Sequence, residues 1–203
     1  MILPIYTYGM PGLREMTKPV TENSEALQSL IDDMIETMRY ASGVGLAAPQ
    51  VGRTERLFVV DIAAAEEGDH GEGDHGEAAE ASPSLICINP DLDFIETPRV
   101  EFEEGCLSIP DLRDDVTRPD AIAIRFLDRD LRSQEIGASG LLARVIQHEF
   151  DHLNGVLFVD RLSPLRRRLL RRRLREMARG QLETDYPIIS PTVQKWQPSR
   201  STN

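Results

Sequence analysis

Between residues 139 and 154, Leu141, Leu142, Val145, Ile146, Glu149, Phe150 and Leu153 recur at helical spacing, and Gly155 supplies a stop. Inside that frame lies Gln147-His148-Glu149-Phe150-Asp151-His152, so the same helix must satisfy a core and carry several ionisable groups. The rest of the fold has to be built around it. His148 and His152, four residues apart, project from one face of a helix, close enough to share a single cation, and Glu149 beside them can reach a water on that cation. The H-E-x-x-H spacing also occurs as a charged, hydrogen-bonded surface turn, so alone it leaves both readings open.

A catalytic site of this kind needs a third protein ligand and an open position for water. Cys106, in Glu104-Gly105-Cys106-Leu107-Ser108-Ile109-Pro110, is flanked by small and turn-forming residues that can bring a thiolate to the helix, whereas Cys87 alternates with Ile86 and Ile88 as a buried strand residue does. One thiolate and two imidazoles suit a divalent transition metal, and donor softness does not separate iron from zinc. In Gly43-Val44-Gly45-Leu46-Ala47-Ala48-Pro49-Gln50 the glycines allow close approach of an extended ligand, and Gln50 offers an amide donor to a developing oxyanion.

The remaining pattern is that of one domain with extensions, since 203 residues at 40% hydrophobic content bury one sizeable core. Leu27, Leu30, Ile31, Met34, Ile35 and Met38 predict a helix over 22–41. Short β-type runs follow at 57–60, at 85–88 closed by Asn89-Pro90, and at 121–127, suggesting a largely antiparallel sheet. Residues 63–83 read as an acidic, disordered loop insertion in which Gly68-Asp69-His70-Gly71-Glu72 is repeated as 73–77. Another helix is expected over 164–179, and residues 181–203 read as an irregular tail with Pro187, Pro191 and Pro198.

Net charge is −11, which argues against the whole surface serving as a nucleic-acid platform, yet residues 161–179 hold nine arginines against the single acid Glu176, a local +8. The acidic remainder fits a high-salt cytoplasm and ordinary surface charge equally well. No run is long and apolar enough to span a bilayer, and the start lacks the pattern of a secretory signal, so a cytoplasmic protein is expected.

Taken together, Gly43–Gln50, Glu104–Ser108 and Gln147–Gly155 resemble, in order, the three motifs of the peptide deformylase family, with a layout similar over roughly 1–180. That resemblance implies an α+β fold of antiparallel sheets packed around a central helix bearing the H-E-x-x-H motif, plus a C-terminal helix. It implies that Cys106, His148 and His152 bind the metal, that Glu149 handles protons, and that Gln50 and the Leu107 N–H form the oxyanion hole. The implied reaction removes the N-formyl group from the initiator methionine of nascent polypeptides, with iron(II) as the usual cation and zinc, nickel or cobalt as substitutes. Gly43, Val44 and Gly45 look suited to pair with the substrate backbone, and Leu141 and Val145 could line a methionine pocket or belong to the plain core. In some family members the C-terminal helix docks on the ribosome, which suits the basic helix 164–179; a solvated helix face suits it too. Two rivals remain at this point: a zinc endopeptidase with no use for Cys106, and a ribosome- or RNA-binding module with a structural, four-ligand metal.

Overall fold

The computed structural model describes residues 1–61, 63, 84–93 and 95–192. Residues 64–83 of the expected insertion and 193–203 of the tail lie outside the described residues. In chain order the elements are β1 (Ile5–Tyr6), α1 (Glu25–Tyr40), β2 (Gly45–Ala47), β3 (Leu57–Asp61), β4 (Ser84–Asp93), β5 (Arg99–Cys106), β6 (Ile109–Pro119), β7 (Ala121–Leu127), β8 (Ser133–Ser139), α2 (Gly140–Leu153), α3 (Phe158–Arg161), α4 (Pro164–Met177) and β9 (Ile188–Ile189). The three predicted helices are present. At the start of α1 the Ser24 hydroxyl accepts the Leu27 N–H at 3.2 Å, which satisfies one of the donors a helix start leaves open.

An antiparallel five-stranded sheet, in the order β2-β3-β4-β7-β8, is buried on both faces around β3. Leu57 and Val59 pack with Leu30, Ile31, Met34 and Met38 of α1, while Phe58 and Val60 pack with Ala143, Val145, Ile146 and Leu153 of α2. This alternation follows from the two-residue period of a strand and makes β3 the shared wall of two cores. A third core joins β6 to the C-terminal helices through Ile109, Leu112, Val116, Phe158, Leu174 and Met177. The helix α2 therefore lies among strands and loops on most sides, and its residues 143–149 and 151–153 are all buried.

Three differences from the sequence pattern have local causes. Asn89-Pro90 does not close β4, because Asn89 takes a left-handed φ of 50° and the strand continues through a bulge between Ile88 and Asp91. The Asn89 amide is held there by Val20, donating to its carbonyl at 2.7 Å and accepting its N–H at 2.8 Å. The β5–β6 hairpin lacks the apolar alternation of a strand, since β6 buries Asp114 and Arg118 in alternation with Leu112 and Val116 and so reads as polar. Residues expected to begin an irregular tail instead return to the body: β9 pairs in parallel with β1, Ile188 opposite Ile5 and Ile189 opposite Tyr6. Among the described residues no helix is long and apolar enough to cross a membrane.

Candidate metal centre and active-site cleft

The structure brings Cys106, His148 and His152 together, with one ligand atom from each lying within 4.8 Å of the others. Cys106 ends β5 just before the two-residue turn Leu107-Ser108, and it approaches α2 so that its Sγ lies 3.3 Å from His152 Nε2. The helical spacing of the histidines sets their rings 5.0 Å apart between centroids at 72°. His148 Nδ1 donates to the Glu104 Oε2 carboxylate at 3.0 Å, which leaves Nε2 as the atom a metal would take; without one, burial is outweighed by Cys106 and Glu104, which hold the His148 pKa well above the ordinary value. Burial holds the His152 pKa well below its ordinary value, favouring the neutral imidazole a metal requires. The donor set and its orientation fit a divalent transition metal.

Glu149 is fully enclosed beside these residues, and its Oε2 has no hydrogen-bond partner among the described residues. Burial raises its pKa to about 7, from an ordinary 4.5. The carboxylate lies against the backbone of Gly45: a Cβ there would stand 2.5 Å from Glu149 Oε1. At Gly43 a Cβ would meet Leu107 Cδ1 at 2.7 Å. A side chain at either glycine would displace Glu149 or Leu107, and Val44 between them offers its carbonyl to Asp61 N–H at 2.9 Å.

Gln50 belongs to a short 3-10 turn, Ala48–Val51, that presents its side chain inward. Its Oε1 accepts the Ala47 N–H at 2.8 Å, which settles the amide orientation and directs Nε2 toward Cys106 Sγ at 3.6 Å and Ser108 Oγ at 3.3 Å. Cys106, His148, Glu149 and Gln50, with Gly43, Val44, Gly45, Leu107, Leu141 and Val145, line one cleft of about 1740 Å³. Cys87 is fully buried in β4, as its alternation predicts, and takes no part.

Sequence reasoning passed over the residues that hold the site in place. Glu104 is buried and accepts from Arg118 Nε at 2.6 Å and Nη2 at 2.8 Å, from Arg144 Nη1 at 3.0 Å, and from His148. Arg118 also reaches Asp151 Oδ2 on α2 at 2.7 Å, and Arg161 donates to the same carboxylate. The motif around Cys106 does not by itself give Glu104 a role; the signal for one is that a metal-ligating histidine needs an acceptor on its other nitrogen. Burial alone would raise the Glu104 pKa, yet the hydrogen bonds and charges of Arg118 and His148 outweigh it and hold the carboxyl well below the ordinary carboxylate range.

A buried carboxylate oxygen without a partner, beside a Cys-His-His group that borders a cleft, is an arrangement of the metal-binding hydrolase class. The polypeptide deformylase family model matches residues 2–168. A peptide deformylase of Salinibacter ruber is 55% identical over 192 residues, covering 94% of this chain and 95% of its own, and one of Chlorobium phaeobacteroides is 45% identical over 188 residues, covering 93% and 95%. Among solved structures, a peptide deformylase from Legionella pneumophila superposes with a TM-score of 0.76 at 41% identity, covering 89% of this chain and 98% of that one. A second, from Synechococcus elongatus in complex with actinonin, gives 0.73 at 39% identity, covering 84% and 87%. This chain belongs to the polypeptide deformylase family, whose members are hydrolases that remove N-formyl groups from nascent peptides.

Replacing Glu104 by Gln leaves Arg118 with one fewer buried counter-charge, and unfolding at pH 7 should cost about 3 kcal/mol less than in the wild type. Since the folded pKa of Glu104 is depressed below 4.5, its contribution is complete above that pH and declines as pH falls toward the folded value. The stability gap between the two proteins, read by urea unfolding, should therefore shrink steadily below pH 4.5. A gap that is constant with pH would contradict this assignment.

Proposed function

We propose that this chain hydrolyses the N-formyl amide of newly made polypeptides, with Cys106, His148 and His152 holding one divalent cation and Glu149 moving the protons. The observation that carries the reading is the unpartnered, buried Glu149 Oε2 beside the three-ligand group and facing the cleft. When bound, the cation supplies Lewis acidity that eases deprotonation of water near neutral pH. Iron(II) is the cation in this reading, and zinc, nickel or cobalt suits the same donors.

Glu149, with a pKa raised to about 7, takes the proton of the water as its oxygen attacks the formyl carbon. Gln50 Nε2 and the Leu107 N–H donate to the carbonyl oxygen as it becomes an oxyanion, each such donor contributing about 3–4 kcal/mol to the transition state. Glu149 then passes its proton to the departing nitrogen, the C–N bond breaks, and formate and a free amine result. The substrate backbone pairs as an added strand along Gly43–Gly45, supported by the position of β2 at the end of the five-stranded sheet. Leu141 and Val145 border the space for the methionine side chain. The protein ligands in the Cys-His-His group number three among the described residues, which favours an open catalytic position over a closed structural one.

Formate release from a formyl-Met peptide, measured anaerobically, tests the reading. Glu149→Gln should lower kcat by at least about a hundredfold while retaining the metal; full activity in this variant would sink the mechanism. Gly45→Ala, which forces Glu149 aside, should lower kcat by at least about tenfold. Because the base form of Glu149 is lost as pH falls, and a cation nearby favours the carboxylate, the acid limb of kcat/KM should lie at or below about pH 7 and disappear in Glu149→Gln.

For a further partner, ribosomal RNA on α4, the support is charge. Arg166 and Arg173 are tied to Asp114 and Asp111 of β6, whereas Arg167, Arg168 and Arg171 stand exposed. Ribosome co-sedimentation at low salt that is abolished at high salt is the expected result, and its absence at low salt would remove the assignment.

A further inference from the structure

Beyond the residues that the family model matches, the segment from Leu182 to Ile188 forms one wall of the cleft. It is fixed at several points. Ile5 N–H donates to Pro187 O at 2.8 Å, Thr7 N–H to Ile189 O at 2.9 Å, and the Thr184 hydroxyl to Tyr186 O at 2.7 Å. From this anchored segment the Tyr186 hydroxyl reaches across to donate to the Leu107 carbonyl at 2.8 Å.

Leu107 and Ser108 form the turn between β5 and β6, and this turn is gripped from two further sides. Tyr8 N–H donates to Ser108 O at 2.8 Å, and Gln50 Nε2 donates to Ser108 Oγ at 3.3 Å. The two peptide planes that meet at the Leu107 Cα carry its N–H and its C=O. Each plane is rigid, so anchoring the C=O restricts the backbone rotation that aims the N–H. Cys106 limits the turn from the other end.

We infer that Tyr186 is a positioning residue of this reaction: by holding the Leu107 carbonyl, it aims the Leu107 N–H at the oxyanion, and the 182–190 segment is a strap that keeps it there. The inference rests on the deformylase reading and on the oxyanion role given to Leu107. Positioning predicts a loss in the chemical step, because a misdirected donor stabilises the transition state less while ground-state binding along Gly43–Gly45 is untouched.

The test is Tyr186→Phe in the full chain, which keeps the ring and removes only the hydroxyl. With a formyl-Met peptide under anaerobic conditions, kcat should fall about three- to tenfold with KM within about twofold of wild type, metal content unchanged. Amide hydrogen exchange of Leu107 and Ser108 should accelerate in the same variant. A kcat equal to wild type, with Tm lowered or not, would overturn the inference and leave the deformylase reading intact. A wild-type chain that releases no formate would overturn that reading and this inference with it.

Discussion

The Glu104 carboxylate is the interaction on which the site depends. It is buried, and its two oxygens are shared among Arg118, Arg144 and His148, from β6 and two successive turns of α2. A carboxylate in such surroundings is stable only while its partners are in place, and the partners are stable only while it is. The consequence is a registration device: β5, β6 and α2 adopt one relative position, in which Cys106 meets His152 and the His148 ring turns its Nε2 inward. Asp151, one helical residue before His152, extends the network through Arg118 to Arg161 at the start of the C-terminal helices.

Around this polar joint the apolar packing is ordinary, and that contrast explains the architecture. The central sheet has α1 on one face and α2 on the other, so α2 has its apolar residues on the sheet and its ionisable residues toward the β5–β6 hairpin. The groups proposed to be catalytic sit at the seam between an apolar core and a charged one. There, burial can raise the Glu149 pKa to about 7 while a neighbouring carboxyl, Glu104, is held far lower by arginines. Two glutamates beside His148 thereby differ in charge behaviour, Glu104 staying charged and Glu149 suited to the proton transfer proposed for it.

The glycines of 43–45 gain a more definite meaning from the structure. Their flexibility matters less than the volume they leave, since Glu149 and Leu107 occupy the space where side chains would be. The segment packs against the proposed base, Glu149, and the proposed oxyanion donor, Leu107, and its position at the sheet edge suits the peptide strand proposed to pair with it.

By itself the sequence determined the three long helices and the residue types that meet at the centre, while the central place of α2 came only with the family resemblance. The helices are set by local periodicity, and His148, His152 and Cys106 are residue types whose chemistry admits few uses. It did not disclose the β5–β6 strands, because buried Asp114 and Arg118 break the hydrophobic alternation that marks a strand, or the role of Glu104, whose partners are 14 to 44 residues distant. The return of Ile188–Ile189 to Ile5–Tyr6 and the reach of Tyr186 to Leu107 were likewise hidden, since the parallel pairing joins segments more than 180 residues apart. Only tertiary packing decides such contacts: a buried ion pair or a two-residue strand has no period of its own and exists through the neighbours that the complete fold supplies.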